Sequence, residues 1–405
     1  MIDLRHGDCI EVMKGMADNS VDLILTDPPY HLTSIVKRFG KKGSAPASTK
    51  NNDGSFSRLS KGFMGKEWDG LDENGVGIAF NVEVWKEALR VLKPGGYLMA
   101  FSGARTYHRM AVAIEDAGFE IKDMIEWIYA SGFPKALDIS KQLQKKGQDD
   151  LAKQYEGYKT QLKPAHEPIC LAMKPLSEKN FAENVMKWGT GGLNIDGTRI
   201  GTGIHTTGRS GKTSRAYQSE EKTTEGRYPA NFILSEDIAP VLDRQSGYSK
   251  SVKGKRSPEN KIGEKMGDVF KCGFKETGKV RGHNDEGGAS RFFYNAKIEE
   301  EDYMPFYYTA KASKKERNSD IEGQVHNGLN NHATVKPKSI LTYLLKLGLP
   351  PIDNAVVLDL FAGSGSIGLA IADINKETGR NHKAILIEKD DEHCEIIKKR
   401  CCIGE

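Results

Sequence analysis

Four consecutive residues, Asp27-Pro28-Pro29-Tyr30, carry the most chemistry per residue in this chain. Two prolines fix φ and supply carbonyl oxygens without adding N–H donors. Asp27 is a second acceptor and Tyr30 a flat aromatic face. Two acceptors converging beside a ring suit a planar base that bears an NH2 group. Alone, such a tetrad could equally be a turn. Its position argues for more, because it directly follows Val21-Asp22-Leu23-Ile24-Leu25-Thr26, a β-capable and mostly apolar run of the kind that forms a buried parallel strand. Ligands of open parallel sheets bind beyond the carboxyl ends of their strands.

The second constellation lies near the other end of the chain. Val356 to Phe361 reads as a strand and runs into Ala362-Gly363-Ser364-Gly365-Ser366-Ile367-Gly368, then into an apolar helix. Gly363, Gly365 and Gly368 fit G-x-G-x-x-G in its strand–turn–helix context. Glycines let the backbone turn tightly and approach a ligand, and the helix start offers free N–H groups. Glu388 stands at the end of the strand that follows this helix, where a carboxylate can accept hydrogen bonds from both hydroxyls of a ribose. These features alone would also suit a dinucleotide-binding oxidoreductase.

Positioning both constellations at one cleft constrains the fold. The sequence beyond Glu388 has room for one helix only. The other strands of a nucleotide-binding sheet are then expected from the N-terminal half. Residues 2–5 are expected as its third strand and residues 21–26 as its fourth, so that both chain ends build one sheet. Asp8, after the strand of residues 2–5, then stands beside the ligand. It also reads as the N-cap of a helix from Ile10 to Met16, and the two roles are compatible. Further helices are expected at 82–92, 107–117, 339–347, 366–374 and 391–400, and strands at 97–101, within 119–129 and at 384–387. Lys93-Pro94-Gly95-Gly96 reads as a break between helix and strand.

Regularity weakens from Ser131 to about Asn330, although Pro168 to Met173 has the composition of one more core strand. Between Gly201 and Ser290 there are 16 Lys/Arg against 12 Asp/Glu, an excess that equals the net charge of the whole chain, +4. A solvated loop region and a DNA-facing one fit this stretch equally well. Arg209, Lys212, Arg215, Lys253, Lys255, Arg256 and Arg281 are its candidates for reading base edges or phosphates. Arg291-Phe292-Phe293-Tyr294 could supply an aromatic wedge, with a buried strand as the stronger alternative, and residues 34–66 could close over a substrate.

Composition bounds the class. The 405 residues are 38% hydrophobic and 28% charged, enough for a sizeable core. No apolar run reaches membrane-spanning length, and the N-terminus lacks a signal-peptide core, so a cytoplasmic location is expected. The six cysteines include no C-x-x-C pair, and no metal site is expected.

Taken together, Gly7-Asp8-Cys9, the tetrad, Asn331 to Pro337 (Asn-His-Ala-Thr-Val-Lys-Pro), Asp359 to Gly365, and Ile387-Glu388 resemble the amino-methylating DNA methyltransferases of the β order, in which the tetrad precedes the glycine motif. Ala333 departs from the proline usual there. The resemblance implies an α/β, Rossmann-like sheet that binds S-adenosylmethionine. It divides the chain into a catalytic half (1–130), an inserted target-recognition segment (131–330) and a cofactor-binding half (331–405). It implies a catalytic role for Asp27, Pro28, Pro29 and Tyr30, and cofactor contacts from Asp8, Cys9, Thr334, Lys336, Asp359, Phe361, Ala362, Gly363, Ser364, Gly365 and Glu388. Thr334 and Lys336 would meet the cofactor's amino-acid end, although a cap and an exposed lysine are their plainer readings. The expected substrate is double-stranded DNA and the expected target N6 of a flipped adenine. Cytosine N4 is the alternative, and RNA or protein a more distant one. Cytosine C5 chemistry is disfavoured because no Pro-Cys pair supplies a nucleophile. A homodimer and a role in restriction–modification are in keeping with the family, and nothing in the residues identifies a partner nuclease.

Overall fold

In the computed structural model the described residues are 1–30, 76–130, 132, 136–207, 222–250, 254–255, 280–281, 285–297 and 335–403. Their strands are β1 (Ile2–His6), β2 (Val21–Thr26), β3 (Leu92–Phe101), β4 (Glu120–Ile128), β5 (His166–Met173), β6 (Ile200–Thr207), β7 (Lys222–Arg227), β8 (Phe232–Ser235), β9 (Ser249–Lys250), β10 (Gly254–Lys255), β11 (Val280–Arg281), β12 (Glu286–Gly287), β13 (Tyr294–Ala296), β14 (Val356–Asp359) and β15 (Lys383–Glu388). Nine of them form one sheet in the order β1-β15-β14-β2-β3-β5-β4-β8-β13. All its pairings are parallel except those of β5, which runs antiparallel to both β3 and β4.

The sheet is built from both chain ends, as expected. β1 lies outside β15, and β2 lies on the other side of β14. The middle of the chain also contributes, since β5, β8 and β13 all belong to this sheet, which therefore runs across the boundary at residue 130. β6–β7, β9–β12 and β10–β11 are separate two-stranded ladders.

β2 is buried at every position because both faces of the sheet are covered. Leu23 and Leu25 pack in one layer with α8 (Lys338–Gly348) and α9 (Ser366–Thr378). Ile24 packs in the other with α1 (Cys9–Lys14), α2 (Val82–Val91) and α3 (Tyr107–Asp116). That is the two-residue period of a strand expressed as two cores. Four further helices are α4 (Ile139–Gln144), α5 (Asp149–Gln154), α6 (Phe181–Trp188) and α7 (Ala239–Ser246), and α10 (Asp391–Arg400) is the last described helix. The break expected at Lys93–Gly96 is absorbed into β3, which starts at Leu92. The ladder steps from Val21↔Leu92 to Leu23↔Tyr97, so Lys93 to Gly96 bulge between paired positions. No described helix is long and apolar enough to cross a membrane.

Candidate active site

Parallel strands end together, so the loops after β1, β15, β14 and β2 meet at one edge. Thr26 locks two of them. Its buried hydroxyl donates to Asp359 Oδ1 at 2.8 Å and accepts from Leu360 N at 3.2 Å. The glycine turn after β14 and the tetrad after β2 therefore leave from a shared hydrogen-bonded pair.

The glycine turn is held open by its backbone. Gly363 and Gly365 have φ of +56° and +78°, values that favour glycine. Gly365 is the N-cap of α9 and no side chain caps that helix, so the helix start remains available to a ligand. Glu388 Oε2 accepts from Gly363 N at 2.7 Å, and Oε1 accepts from Lys389 N and Asp390 N at 3.0 and 2.9 Å. Gly7 N donates to Glu388 O at 2.9 Å, and Ala362 N donates to Ile387 O at the same distance. Asp8 caps α1 by accepting from Ile10 N at 3.0 Å, and its other oxygen lies 3.4 Å from Lys389 Nζ. Phe361 N donates to Asp359 Oδ1 at 3.1 Å. Cys9 is buried among the α1–α3 layer, and burial with the charge of Asp8 pushes its thiol up to about 12. Behind the turn, Arg400 on α10 donates to Ser364 O at 2.6 Å and to Ser364 Oγ at 2.8 Å.

Across the edge, the tetrad forms a charged cluster. Pro28 is buried, and Asp27, Pro29 and Tyr30 are partly so. Thr106 Oγ1 donates to Tyr30 O at 3.0 Å, which holds the loop against the end of β3. The ammonium of Lys336, on the segment leading into α8, bonds Asp27 Oδ2 and donates to Tyr30 OH at 2.9 Å. Tyr30 OH in turn donates to Glu167 Oε2 on β5 at 2.8 Å, an oxygen 3.4 Å from Lys336 Nζ. Asp27 Oδ1 is buried and has no hydrogen-bond partner among the described residues. Burial, then the charges of Asp27 and Glu167, hold the Tyr30 phenol well above its usual range, so it stays neutral. Burial opposes the charge on Lys336, but the same two carboxylates outweigh it and hold its pKa above the ordinary lysine value.

Asp8, Cys9, Asp359, Phe361, Ala362, Gly363, Ser364, Gly365 and Glu388 thus gather at the ends of β1, β14 and β15, and Asp27 to Tyr30 at the end of β2. Lys336, assigned by resemblance to the cofactor, has its ammonium on the tetrad. Thr334 lies outside the described residues, as do Arg209, Lys212, Arg215, Lys253, Arg256 and the whole of 34–66. Lys255 and Arg281 sit on the paired strands β10 and β11, and their side chains are not among those described. The aromatic run divides. Phe292 ends a short 3-10 turn beneath Arg227 and Arg291, while Tyr294 is on β13 and stacks on Tyr343 with ring centroids 4.0 Å apart. Glu167, Thr26 and Arg400 escape sequence reasoning. Thr26 ends a strand, Glu167 begins one and Arg400 ends a basic helical turn, positions that carry no local signal.

Comparison with known proteins places the chain in a family. The profile of the N6/N4 DNA methylases matches residues 21–399. Type II methyltransferase M.HindIII of Haemophilus influenzae is 28% identical over 204 residues, which cover 48% of this chain and 65% of that enzyme. M2.DpnII of Streptococcus pneumoniae is 27% identical over 124 residues, 31% of this chain and 40% of that enzyme. The chain thus spans between two fifths and just under two thirds of the length of these relatives. Among solved structures, the cytosine-N4-specific PvuII DNA methyltransferase aligns over 98% of this chain and 86% of its own, at 11% identity and a TM-score of 0.43, a likeness too low to argue from. With the family profile spanning nearly all of it, the chain belongs to the N6/N4 DNA methylase family, whose methyl donor is S-adenosylmethionine.

Proposed function

We propose that this protein transfers a methyl group from S-adenosylmethionine to N6 of an adenine flipped out of double-stranded DNA. The observation that carries the reading is Asp27 Oδ1, a buried acceptor without a partner among the described residues, set beside Tyr30 at the edge where the glycine turn ends. A buried acceptor left unsatisfied is costly, and an amino hydrogen would satisfy it.

The residues fit the cofactor. Gly363 and Gly365 keep Cβ atoms out of the turn, the start of α9 has no side-chain cap, and the carboxylate of Glu388 ends β15 while that of Asp8 lies in the turn after β1. Glu388 would hold the ribose, Asp8 the adenine, and the glycine turn the methionine part. Bound there, the cofactor supplies an electrophilic methyl carbon on a sulfonium. The work left to the protein is placement. An amino group inside a duplex is shielded, and extruding the base costs a few kcal/mol; stacking on Tyr30 recovers part of that. Asp27 Oδ1 and the Pro28 carbonyl accept the two amino hydrogens, which aims the nitrogen lone pair away from them. Asp27 then stabilises the positive charge that grows on nitrogen as the methyl carbon–sulfur bond gives way to a carbon–nitrogen bond and leaves a neutral thioether. The surplus amino proton departs along its hydrogen bond to Asp27 Oδ1 and on to water. Aspartate as the first residue of the tetrad favours adenine over cytosine.

The test is methyl transfer from radiolabelled S-adenosylmethionine to unmethylated genomic DNA, with mass spectrometry of the nucleosides. N6-methyladenine is expected, and Asp27→Ala should lower the rate by about 10²-fold or more with cofactor binding retained. N4-methylcytosine instead would reverse the base and keep the chemistry. No transfer to DNA, with the cofactor bound, would overturn the reading.

A further inference from the structure

Among the described residues Asp27 meets one cation, Lys336, and an isolated pair of that kind would be electrically neutral. A methyl-accepting amine becomes cationic before it sheds a proton, and a neutral pair offers that charge little. Glu167 changes the balance. It is 6% exposed near the start of β5, a strand whose following residues, Pro168 to Met173, are buried and apolar apart from one thiol. A carboxylate placed there is expensive unless paired. Its Oε2 accepts from Tyr30 OH at 2.8 Å and lies 3.4 Å from Lys336 Nζ.

We propose that Glu167 is a positioning residue for methyl transfer: it neutralises Lys336, so that Asp27 retains an unbalanced negative charge for the amine, and it fixes the Tyr30 ring through its hydroxyl. The inference rests on the methyltransferase reading given above. Three groups, Asp27, Glu167 and Lys336, then sum to one negative charge in a site sheltered from water, where a charge acts more strongly than in solution. Tyr30, the remaining member of this hydrogen-bond network, is neutral. Among the described residues, Tyr129, at the end of β4, and Asp359 on β14 also face the cluster. Lys336 is also 5.0 Å from the centroids of both Tyr30 and Phe101, so its ammonium is confined between rings and carboxylates.

Glu167→Gln removes the charge while its carbonyl can still accept from Tyr30. It should lower kcat about tenfold or more, while the affinity for S-adenosylmethionine stays within about twofold. The double variant Glu167→Gln/Lys336→Met removes both charges and should be about threefold faster than Glu167→Gln alone, because Asp27 is freed again. The deficit of Glu167→Gln should also narrow between about pH 7 and pH 9, since a lysine with one carboxylate fewer releases its proton more readily. A purely structural glutamate would give a double variant no faster than the single one and a deficit independent of pH, and either result overturns the inference. Glu167→Gln turning over at the wild-type rate does so too. In all these cases wild-type transfer to DNA leaves the methyltransferase reading standing. Wild-type protein that methylates no DNA removes that reading and this inference together.

Discussion

Asp359 sits where the two constellations meet, and its environment sets a pH dependence. Burial pushes its carboxyl up to about 7 against the hydrogen bonds from Phe361 N and Thr26, and the charges of Asp27 and Glu388 add to the rise. A free aspartate titrates near 4. The folded state thus holds this proton more tightly than the unfolded chain does. Its contribution to stability is full below about pH 4 and is lost as pH rises through about 7. Asparagine keeps an oxygen for Thr26 and cannot ionise. Wild-type stability relative to Asp359→Asn should therefore decline from about pH 5 to pH 8, as read from urea unfolding midpoints at each pH. A difference that stays constant over that range would contradict the assignment. The residues at this edge are unequally visible in the sequence. Asp27, Gly363 and Glu388 announce themselves because each follows a recognisable strand at a fixed place. Thr26 does not, since a threonine at a strand end is ordinary until Asp359 is known to be opposite it. Glu167 is hidden for the same reason, because its partners Tyr30 and Lys336 are remote from it in sequence and meet it only through the sheet.

Helix α10 hides a buried arginine inside an ordinary pattern. Lys398-Lys399-Arg400 reads as a basic last turn, which suits the negative end of a helix dipole. Only Arg400 turns inward. It is 2% exposed and reaches Ser364 and Ser366 across the start of α9. Ile397 and Cys401 of the same segment pack against Gly365 from that same side, where an added Cβ would lie 3.2 and 3.3 Å from their side chains. The helix thus supports the glycine turn from behind. Arg400→Met should cost about 1.5–3 kcal/mol of stability, as expected for hydrogen bonds to a charged donor, and should weaken S-adenosylmethionine binding several-fold. Lys399→Met, on the exposed face, should do neither. Thermal melting and calorimetric titration check both effects. Unchanged cofactor affinity in Arg400→Met would confine the arginine to a purely structural part. The strands are easier to read, since β2, β14 and β15 are short apolar runs closed by a polar residue. The start of β3 is harder, because Pro94 and two glycines mark a turn, whereas here they bulge within a ladder. That bulge packs on Asn184, whose amide donates to Pro94 O at 2.9 Å.

At the scale of the molecule, the interleaving of the chain ends makes the two halves depend on each other. β14 pairs with β2 and β15 pairs with β1, so both outer neighbours of the C-terminal strand pair come from the N-terminal segments Ile2–His6 and Val21–Thr26. Helix α8 leans on the same strands: a Cβ at Gly348 would lie 2.7 Å from Leu23 Cδ1. The proposed cofactor site is divided in the same way, with Asp8 on one side and Gly363, Gly365 and Glu388 on the other. Two parallel strands with both edges stripped cannot bury enough apolar surface to hold together. A fragment of residues 335–405 should accordingly lack a cooperative melting transition by circular dichroism. Refolded with residues 1–334, it should co-elute as one species and regain S-adenosylmethionine binding, because the missing neighbours are supplied in trans. Cooperative melting of the isolated fragment would mean that β14, β15 and their helices form a unit of their own, and the mutual dependence inferred from the strand order would be wrong. Failure of the two fragments to bind the cofactor together, with each soluble, would mean instead that chain continuity between β13 and Val335 is needed to bring the two edges into register.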